Sequence, residues 1–188
     1  MENNKIIIVE GPQGSGKSTL ANYLKDNIVS SNLYRLSNQK DKTVKGLEYN
    51  ILMYDALFDY LKEIQSVPTD LIFDGLFMTE EVCSRLGFKE YSFNEYYKRY
   101  INLLNQLKYN IYYFNLYLND TNLYEQRLKK DFNHNYQSFS LNNSINQQIT
   151  YNTIVQELSN YDNINIYKLE MDDFEKSYSR VRSILNIK

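Results

Sequence analysis

Several residue types and patterns that direct proteins to particular environments are scarce in this 188-residue chain. The sequence contains one cysteine, two prolines and no tryptophan. Cys83 alone cannot form an internal disulfide, as expected of a protein kept in a reducing cytosol. The longest apolar runs are far shorter than the ~20 residues that a membrane span requires, and the N-terminus has no signal-peptide pattern. We therefore expect a cytoplasmic protein that has no membrane partner.

The chain also lacks an excess of basic residues. Its 21 lysines and arginines and its 23 aspartates and glutamates give a formal net charge of −2. Proteins that track nucleic acid carry a basic surface, so nucleic acid is not an expected partner. The length suits one domain, and no Gly-, Pro- or Ser-rich linker or internal repeat divides the chain. We predict a single domain over residues 1–188; a homodimer is compatible with this.

What the chain does contain is a complete G-x-x-x-x-G-K-S phosphate-binding loop, the P-loop, at Gly11–Ser18. The apolar run Lys5–Glu10 precedes it, and a helix-like stretch follows from Ser18 to about Ile28. Strand, loop and helix in this order are the context in which such a loop works. Its glycines let the backbone curl until successive N–H groups form an anion nest, to which the helix adds its dipole. The alternative interpretation is a glycine-rich turn that binds no nucleotide.

The P-loop predicts how a nucleoside triphosphate and its metal are bound. The Lys17 ammonium would neutralise the β- and γ-phosphates, and the Ser18 hydroxyl would ligate Mg²⁺. We therefore predict ATP and Mg²⁺ as cofactors and Lys17 as a catalytic residue. The P-loop region residues predicted to bind ATP are Gly11, Gln13, Gly14, Ser15, Gly16, Lys17, Ser18 and Thr19.

Strand-like and helix-like segments alternate along the chain, which predicts an α/β fold: a five-stranded parallel sheet with helices on both faces. The predicted strands are Lys5–Glu10, Asn32–Ser37, Asp70–Gly75, Ile111–Leu118 and Ile164–Met171. The predicted helices are Ser18–Ile28, Asn50–Gln65, Met78–Leu86, Ser92–Leu107, Asp120–Lys130, Asn142–Asn160 and Asp173–Leu185. Polar residues 39–45 are predicted to form a loop.

Asp74 is the candidate carboxylate opposite the P-loop. It ends Leu71-Ile72-Phe73-Asp74, the one apolar run that closes on an acid at the carboxyl end of a predicted buried strand. P-loop enzymes place a carboxylate there to hold Mg²⁺, and open α/β sheets bind ligands outside these strand ends. We predict Asp74 as a metal ligand and as part of the acceptor site. The alternative is a turn-forming Asp74-Gly75 pair without a ligand.

Phosphoryl transfer also requires positive charge over the transferred group, because negative charge spreads over its oxygens in the transition state. Arg127 and Lys130 are the candidates, within Arg127-Leu128-Lys129-Lys130 and ahead of a polar and aromatic segment. A lid over about residues 127–140 would close on the phosphates and exclude water. We predict Arg127 as catalytic and Lys130 as ATP-binding. The alternative is a charged helix face exposed to solvent.

With these features in place, the chain resembles the thymidylate kinase-like branch of P-loop kinases, which includes deoxynucleoside kinases and small phage deoxynucleotide kinases. Glu10-Gly11 is similar to the E-G start of the branch's loop, and Ile72-Phe73-Asp74 to the strand that ends in its D-R motif. Leu116-Tyr117-Leu118 followed by Arg127 looks like the segment that leads into its lid. The resemblance implies a three-layer fold with sheet order 2-3-1-4-5.

The chain departs from this branch at the residue after the strand-ending acid. The branch has an arginine there that grips the acceptor phosphate, whereas this chain has Gly75. We expect Arg85, on the next predicted helix, to bind the acceptor instead; a surface ion pair is the alternative for Arg85. Phe77 and Tyr97 are predicted to stack on the acceptor base, and the alternative for both is the hydrophobic core. Further cations that could replace the missing arginine are Arg35, Lys98 and Arg99.

The leading functional hypothesis is transfer of the ATP γ-phosphate to a deoxynucleoside monophosphate, an acceptor that needs no strong base. A deoxynucleoside kinase would need a carboxylate near the 5′-hydroxyl, and the stretch after the second strand offers only Asp41. A polynucleotide kinase and a non-catalytic nucleotide-binding module remain as further alternatives. The guanine-reading Asn-Lys-x-Asp pattern of GTPase switches is absent, because residues 38–41 read Asn-Gln-Lys-Asp. We expect the partner to be a small nucleotide or nucleoside.

Overall fold

The computed structural model describes residues 4–36, 41–130 and 140–187. Five parallel strands form one sheet in the order β2-β3-β1-β4-β5, as the family resemblance predicts. The strands are β1 Lys5–Glu10, β2 Ser31–Tyr34, β3 Asp70–Asp74, β4 Asn110–Tyr117 and β5 Ile164–Glu170. The helices are α1 Lys17–Asn27, α2 Val44–Glu63, α3 Phe77–Arg85, α4 Asn94–Gln106, α5 Thr121–Lys130, α6 Leu141–Leu158 and α7 Phe174–Leu185.

The largest difference from the predicted elements is the start of α2. The helix begins at Val44, six residues before the predicted start and inside the stretch predicted as a loop. Asp41 sets this start, because its Oδ1 accepts hydrogen bonds from the Thr43 backbone N–H at 2.8 Å and from the Thr43 hydroxyl at 2.7 Å. This Asx-type turn was not recognised in the sequence, since the apolar periodicity of the helix starts only later.

The three central strands, β1, β3 and β4, are largely buried on both faces, which explains their nearly continuous apolar runs. Ile6 and Ile8 of β1 face one core, which packs against α2, α3, α4 and α6. Ile7 and Val9 face the other core, which packs against α1, α5 and α7. The result is a three-layer arrangement of helices, sheet and helices. No helix within the described part of the chain has the length and apolar character to span a membrane.

The parallel register brings several strand ends to the same edge of the sheet. Val9 pairs with Asp74 of β3, and Glu10 pairs with Asn115 of β4. The P-loop leaves β1 at this edge, and the turn into α3 leaves β3 beside it. In doubly wound sheets ligands bind at this carboxyl edge, and the fold places the P-loop and Asp74 there together.

Candidate active site

The P-loop follows β1, and its last two residues begin α1. Gly16, the N-cap of α1, has a left-handed conformation (φ 96°). A Cβ at this position would lie 3.0 Å from the Phe174 ring, so only glycine lets the loop pack this closely. The Ser15 side chain is buried, and its Oγ has no hydrogen-bond partner within the described residues. A buried polar atom left unpaired inside a loop of backbone donors suits an anionic ligand.

Lys17 lies over the P-loop. Its Nζ donates hydrogen bonds to the carbonyl oxygens of Gly11 at 2.8 Å and Pro12 at 3.0 Å. An ammonium has three N–H donors, so one remains for a phosphate. Burial lowers the pKa of Lys17, and the negative charges of Glu10 and Asp74 oppose that shift. The two carboxylates therefore help to keep the lysine in the charged form that phosphate binding requires.

Ser18 and Thr19 lie in the first turn of α1, and both are exposed. The first turn of a helix leaves its backbone N–H groups without intrahelical acceptors. These N–H groups and the two hydroxyls therefore suit phosphate and metal ligation. The donor side therefore fits ATP·Mg²⁺: the loop provides backbone donors, Lys17 a cation and Ser18 a hydroxyl. Among residues 4–36, 41–130 and 140–187 no three His, Cys, Asp or Glu side chains form a metal-binding group. Ligation of Mg²⁺ by Ser18 and Asp74 therefore stays a prediction.

Asp74 ends β3, and its side chain is only 6% exposed. Its Oδ2 accepts a hydrogen bond at 3.1 Å from Nε of Arg35, the residue that directly follows β2. Arg35 also donates to the Asn22 side chain on α1 and is 52% exposed. The structure thus places Arg35, which the sequence offered only as one of several substitute cations, directly on the predicted metal and acceptor carboxylate.

Gly75 stands where the thymidylate kinase-like branch has an arginine, and its backbone conformation favours glycine. The residue has φ +79°, a left-handed conformation that is strained for any L side chain. Its backbone N–H donates to the Val9 carbonyl oxygen at 3.0 Å, which holds the turn out of β3 against the neighbouring strand. An arginine here would need a different turn. The positive charge near Asp74 comes instead from the neighbouring strand end.

Arg127 contacts the P-loop from α5. Its guanidinium lies 3.5 Å from the carbonyl oxygens of Gly14 and Ser15 and donates to the Met171 carbonyl oxygen at 2.8 Å. It also lies over the Phe174 ring, 4.6 Å from the centroid. The residue predicted to be catalytic is therefore adjacent to the donor loop. The Lys130 side chain and residues 131–139, most of the predicted lid, lie outside the described residues, so the ATP-binding role of Lys130 and the lid stay predictions.

Helix α6 holds the P-loop from the other side through side chains that the sequence analysis did not select. The Gln13 backbone N–H donates to Oε1 of Gln147 at 2.9 Å, and the Ser144 hydroxyl donates to the Gln13 carbonyl oxygen at 2.9 Å. Both side chains are almost fully buried. The peptide on each side of Gln13 is therefore fixed by α6. The three-residue spacing of Ser144 and Gln147 on one helix face was the available signal.

Glu10 is a fully buried carboxylate that joins both sides of the site. It accepts hydrogen bonds from the Leu76 backbone N–H at 2.7 Å, the Thr79 hydroxyl at 2.6 Å and the Tyr151 hydroxyl at 2.9 Å. Burial raises its pKa, whereas these donors and the Lys17 charge act in the opposite direction. Glu10 therefore links the strand before the P-loop to α3 and α6. In the sequence it stood out only as the first residue of the E-G pair.

The three residues predicted to bind the acceptor from α3 and α4 have other partners. Arg85 binds Glu81 on its own helix at 2.7 Å and both Glu157 carboxylate oxygens on α6, at 2.8 and 2.9 Å. Phe77 is fully buried and Tyr97 is 1% exposed, and both lie in the aromatic core beside Tyr54 and Tyr100. The alternatives of an ion pair and of core packing therefore describe these side chains. Their roles toward an acceptor stay predictions.

Comparisons with known proteins agree with this architecture. No protein-family model matches the sequence, and no curated protein matches it in a sequence search. In structure, the fold and the P-loop place the chain in the three-layer class of P-loop kinase folds.

Within that class the solved structures it resembles include a deoxyadenosine kinase from M. mycoides with the products dCMP and a flexible dCDP bound (TM-score 0.64, 18% identity, 97% of this chain and 98% of the other). They also include thymidylate kinase from Candida albicans (TM-score 0.65, 15% identity, 98% of this chain and 92% of the other). The predicted resemblance to the thymidylate kinase-like branch is confirmed at the level of the fold.

Proposed function

We propose that this chain is an ATP-dependent kinase that transfers the γ-phosphate to the phosphate of a deoxynucleoside monophosphate. The observation that carries the proposal is the placement of Lys17 on the P-loop and of the Arg35–Asp74 ion pair at the neighbouring strand end. The first provides a cation for the donor phosphates. The second provides a cation for an anionic acceptor on the opposite side, where this chain cannot use the family's arginine.

The residues of the chain have separable roles in this reaction. The N–H groups of the P-loop and the Lys17 ammonium bind the β- and γ-phosphates. Ser18 and Asp74 would hold Mg²⁺, which would supply positive charge to the phosphate oxygens. Arg35 orients the acceptor phosphate so that its oxygen attacks the γ-phosphorus in line, while the bond to the leaving ADP oxygen breaks. Arg127 lies beside the loop. Its guanidinium would stabilise charge on the transferred group after rotating away from the loop carbonyl oxygens.

A deoxynucleoside kinase is the alternative, and the likeness to a deoxyadenosine kinase favours it. A 5′-hydroxyl acceptor benefits from a carboxylate base. Glu10 already accepts three hydrogen bonds in a fully buried position, and Asp74 is paired with Arg35. Neither is arranged as an unengaged base, which supports the monophosphate as the first choice. The same argument gives no preference among the four bases.

An acceptor panel tests the proposal. Purified protein is incubated with ATP·Mg²⁺ and each deoxynucleoside, each deoxynucleoside monophosphate or a 5′-hydroxyl oligonucleotide, and ADP release is measured. We expect release with one or more monophosphates. Release with nucleosides alone would establish the alternative, and release with the oligonucleotide alone would point to a polynucleotide kinase. No release with any acceptor, despite ATP binding, would identify a non-catalytic nucleotide-binding module.

Arg35→Ala tests the acceptor role separately. Loss of a charge-assisted contact of about 1.5–3 kcal/mol predicts a roughly 10- to 100-fold lower kcat/KM for the monophosphate. The KM for ATP should change little. The matched control is Lys62→Ala, since Lys62 is 47% exposed and also pairs with an aspartate, Asp59, on its own helix α2. Equal effects of the two substitutions would contradict the role of Arg35.

A further inference from the structure

Helix α6 presents three buried polar side chains to the P-loop and to the strand before it. Ser144, Gln147 and Tyr151 follow each other at spacings of three and four, so they lie on one face of the helix. The first two hydrogen-bond to the backbone of Gln13, and the third hydrogen-bonds to Glu10 at the end of β1. We define these three residues as the α6 polar face. Burying polar groups is costly unless they are paired, so these contacts determine how α6 meets the loop.

Gln147 sets the direction of a carbonyl group that holds Lys17. Its Oε1 accepts a hydrogen bond from the Gln13 backbone N–H at 2.9 Å. The Pro12–Gln13 peptide is trans, and the N–H and C=O groups of a trans peptide point in opposite directions. The Pro12 carbonyl therefore points away from α6, and it accepts a hydrogen bond from the Lys17 ammonium at 3.0 Å. A single peptide plane thus connects Gln147 to Lys17.

Ser144 acts on the next peptide in the same way. Its hydroxyl donates a hydrogen bond to the Gln13 carbonyl oxygen at 2.9 Å. The Gly14 N–H belongs to the same peptide plane, so it points away from α6, as the Pro12 carbonyl does. The Lys17 ammonium lies on that side of the loop, and an anion nest presents its N–H groups where the cation also acts. Ser144 therefore orients one backbone donor of the loop.

Tyr151 lies one turn beyond Gln147 and acts on the charge next to Lys17. Its hydroxyl donates to Oε2 of Glu10 at 2.9 Å, and such a bond favours the ionised form of the carboxylate. The negative charge of Glu10 in turn opposes the lowering of the Lys17 pKa by burial. The α6 polar face thus acts on both the position and the charge of one ammonium group.

We propose that Ser144, Gln147 and Tyr151 are positioning residues for the binding of the phosphate chain of ATP. They fix the Lys17 ammonium and one backbone N–H of the P-loop at the positions that receive the phosphates. The motif contains these donors, but their orientation comes from a helix 134 residues further along the chain. Such support preorganises a site and lowers the cost of binding. Only the expected effect on turnover rests on the proposed function, because ATP binding requires no acceptor.

Binding of ATP·Mg²⁺ in the absence of an acceptor, measured by isothermal titration calorimetry, tests the proposal. Gln147→Leu removes the partner of the Gln13 N–H and should raise the dissociation constant about two- to tenfold. Gln147→Glu keeps an oxygen acceptor on a side chain of the same length and should bind ATP nearly as the wild type does. Ser144→Ala and Tyr151→Phe remove one hydroxyl each and should weaken binding less than Gln147→Leu does.

Gln65→Leu is the matched control. Oε1 of Gln65 also accepts a hydrogen bond from the backbone N–H of a distant segment, that of Lys108 at 2.7 Å. This contact lies before β4, at the edge of the sheet opposite the P-loop. The variant therefore loses a bond of the same type and should leave the dissociation constant of ATP unchanged.

Turnover with an acceptor that the wild type uses provides a second measurement. Displacement of the Lys17 ammonium by Gln147→Leu should lower kcat about 10- to 100-fold, whereas the KM of the acceptor should change little. A merely structural role would instead reduce the amount of folded protein and leave kcat per folded molecule unchanged. Circular dichroism and urea unfolding give the folded fraction to which all constants are referred. If Gln147→Leu does not fold, the milder Ser144→Ala decides the question.

Three results would overturn the proposal. These are an unchanged dissociation constant of ATP in the folded variants of the α6 polar face, an equal change in Gln65→Leu, and a Gln147→Glu variant as weak as Gln147→Leu. A wild type that binds ATP but transfers phosphate to no acceptor would refute the proposed function alone. The calorimetric comparison would still decide whether α6 positions the phosphate-binding groups.

Discussion

The two sides of the candidate site differ in how the chain assembles them. The donor side consists mainly of consecutive residues, Gly11–Ser18, whose conformation follows from their own glycines and from the helix that begins at Lys17. The acceptor side brings together Arg35 and Asp74, which are 39 positions apart in the chain. A contiguous motif can be found in a sequence, whereas a site assembled across elements depends on register and packing. This difference explains why the sequence pointed directly to the P-loop but not to the Arg35–Asp74 pair.

The electrostatic arrangement also differs between the two sides. On the donor side Lys17 is half-buried and bound to loop carbonyls, so its charge lies at a fixed position. On the acceptor side Arg35 is 52% exposed and reaches Asp74 from the end of β2. An exposed guanidinium gains less from any single ion pair and can exchange partners when an anionic substrate arrives. The donor side is therefore preorganised, and the acceptor side is adjustable.

The largest effect is expected on the donor side, from Lys17→Ala. The Lys17 ammonium would stabilise charge in the transition state. Its removal should therefore lower kcat at least about 10²- to 10³-fold and abolish measurable transfer. Unfolding by urea should show that the fold is kept. Lys168→Ala, at an exposed position of β5, is the control and should retain full turnover. Undiminished turnover of Lys17→Ala would refute the kinase assignment.

A smaller effect is expected where the chain turns out of β3, from Gly75→Ala. A side chain at φ +79° should cost about 1–2 kcal/mol of stability and shift the segment that follows Asp74. Gly87→Ala is a close control, since Gly87 has φ +71° and nothing lies within 4 Å of its added Cβ.

Both glycine variants should lose similar stability in urea unfolding, but only Gly75→Ala should raise the KM of the acceptor. If both leave the KM unchanged, the turn at Gly75 does not position the acceptor side.

The smallest effect concerns Glu10, which connects the two sides, and it appears as a pH dependence of stability. Burial raises its pKa above the ordinary value of 4.5, so the unfolded chain loses this proton first. As pH rises through this window the unfolded state is favoured, and the stability contributed by Glu10 falls. The stability of the wild type relative to Glu10→Gln should therefore decrease as pH increases from about 4.5 toward neutrality.

Urea unfolding at several pH values measures this difference. Glu125→Gln is the control of opposite sign, because a hydrogen bond from Lys129 lowers the pKa of the exposed Glu125. Its contribution should be lost as pH falls rather than as it rises. A flat difference for Glu10→Gln between pH 4 and 8 would show that its hydrogen bonds fully offset the effect of burial.

Most of the fold could be predicted because it depends on local patterns. Apolar periodicity located the five strands and seven helices of the described residues, and the resemblance supplied the strand order. The start of α2 was missed because a side-chain turn at Asp41, and not apolar spacing, sets it. Arg85 was chosen as the substitute cation because it lies on the helix after Gly75. Its partner Glu157 could not be foreseen because it is 72 residues away, although Glu81 lies only four residues before Arg85 on the same helix.

The sequence by itself determined the P-loop motif with its lysine and serine, the alternation that builds the sheet, and the carboxylate at the end of β3. These are contiguous features, and their physical causes act over a few residues. Only the tertiary structure decided that Arg35 meets Asp74, that α6 fixes Gln13, and that Glu10 joins both sides. Those contacts arise from the parallel register and from helix packing, which bring together residues separated by 39 to 141 positions.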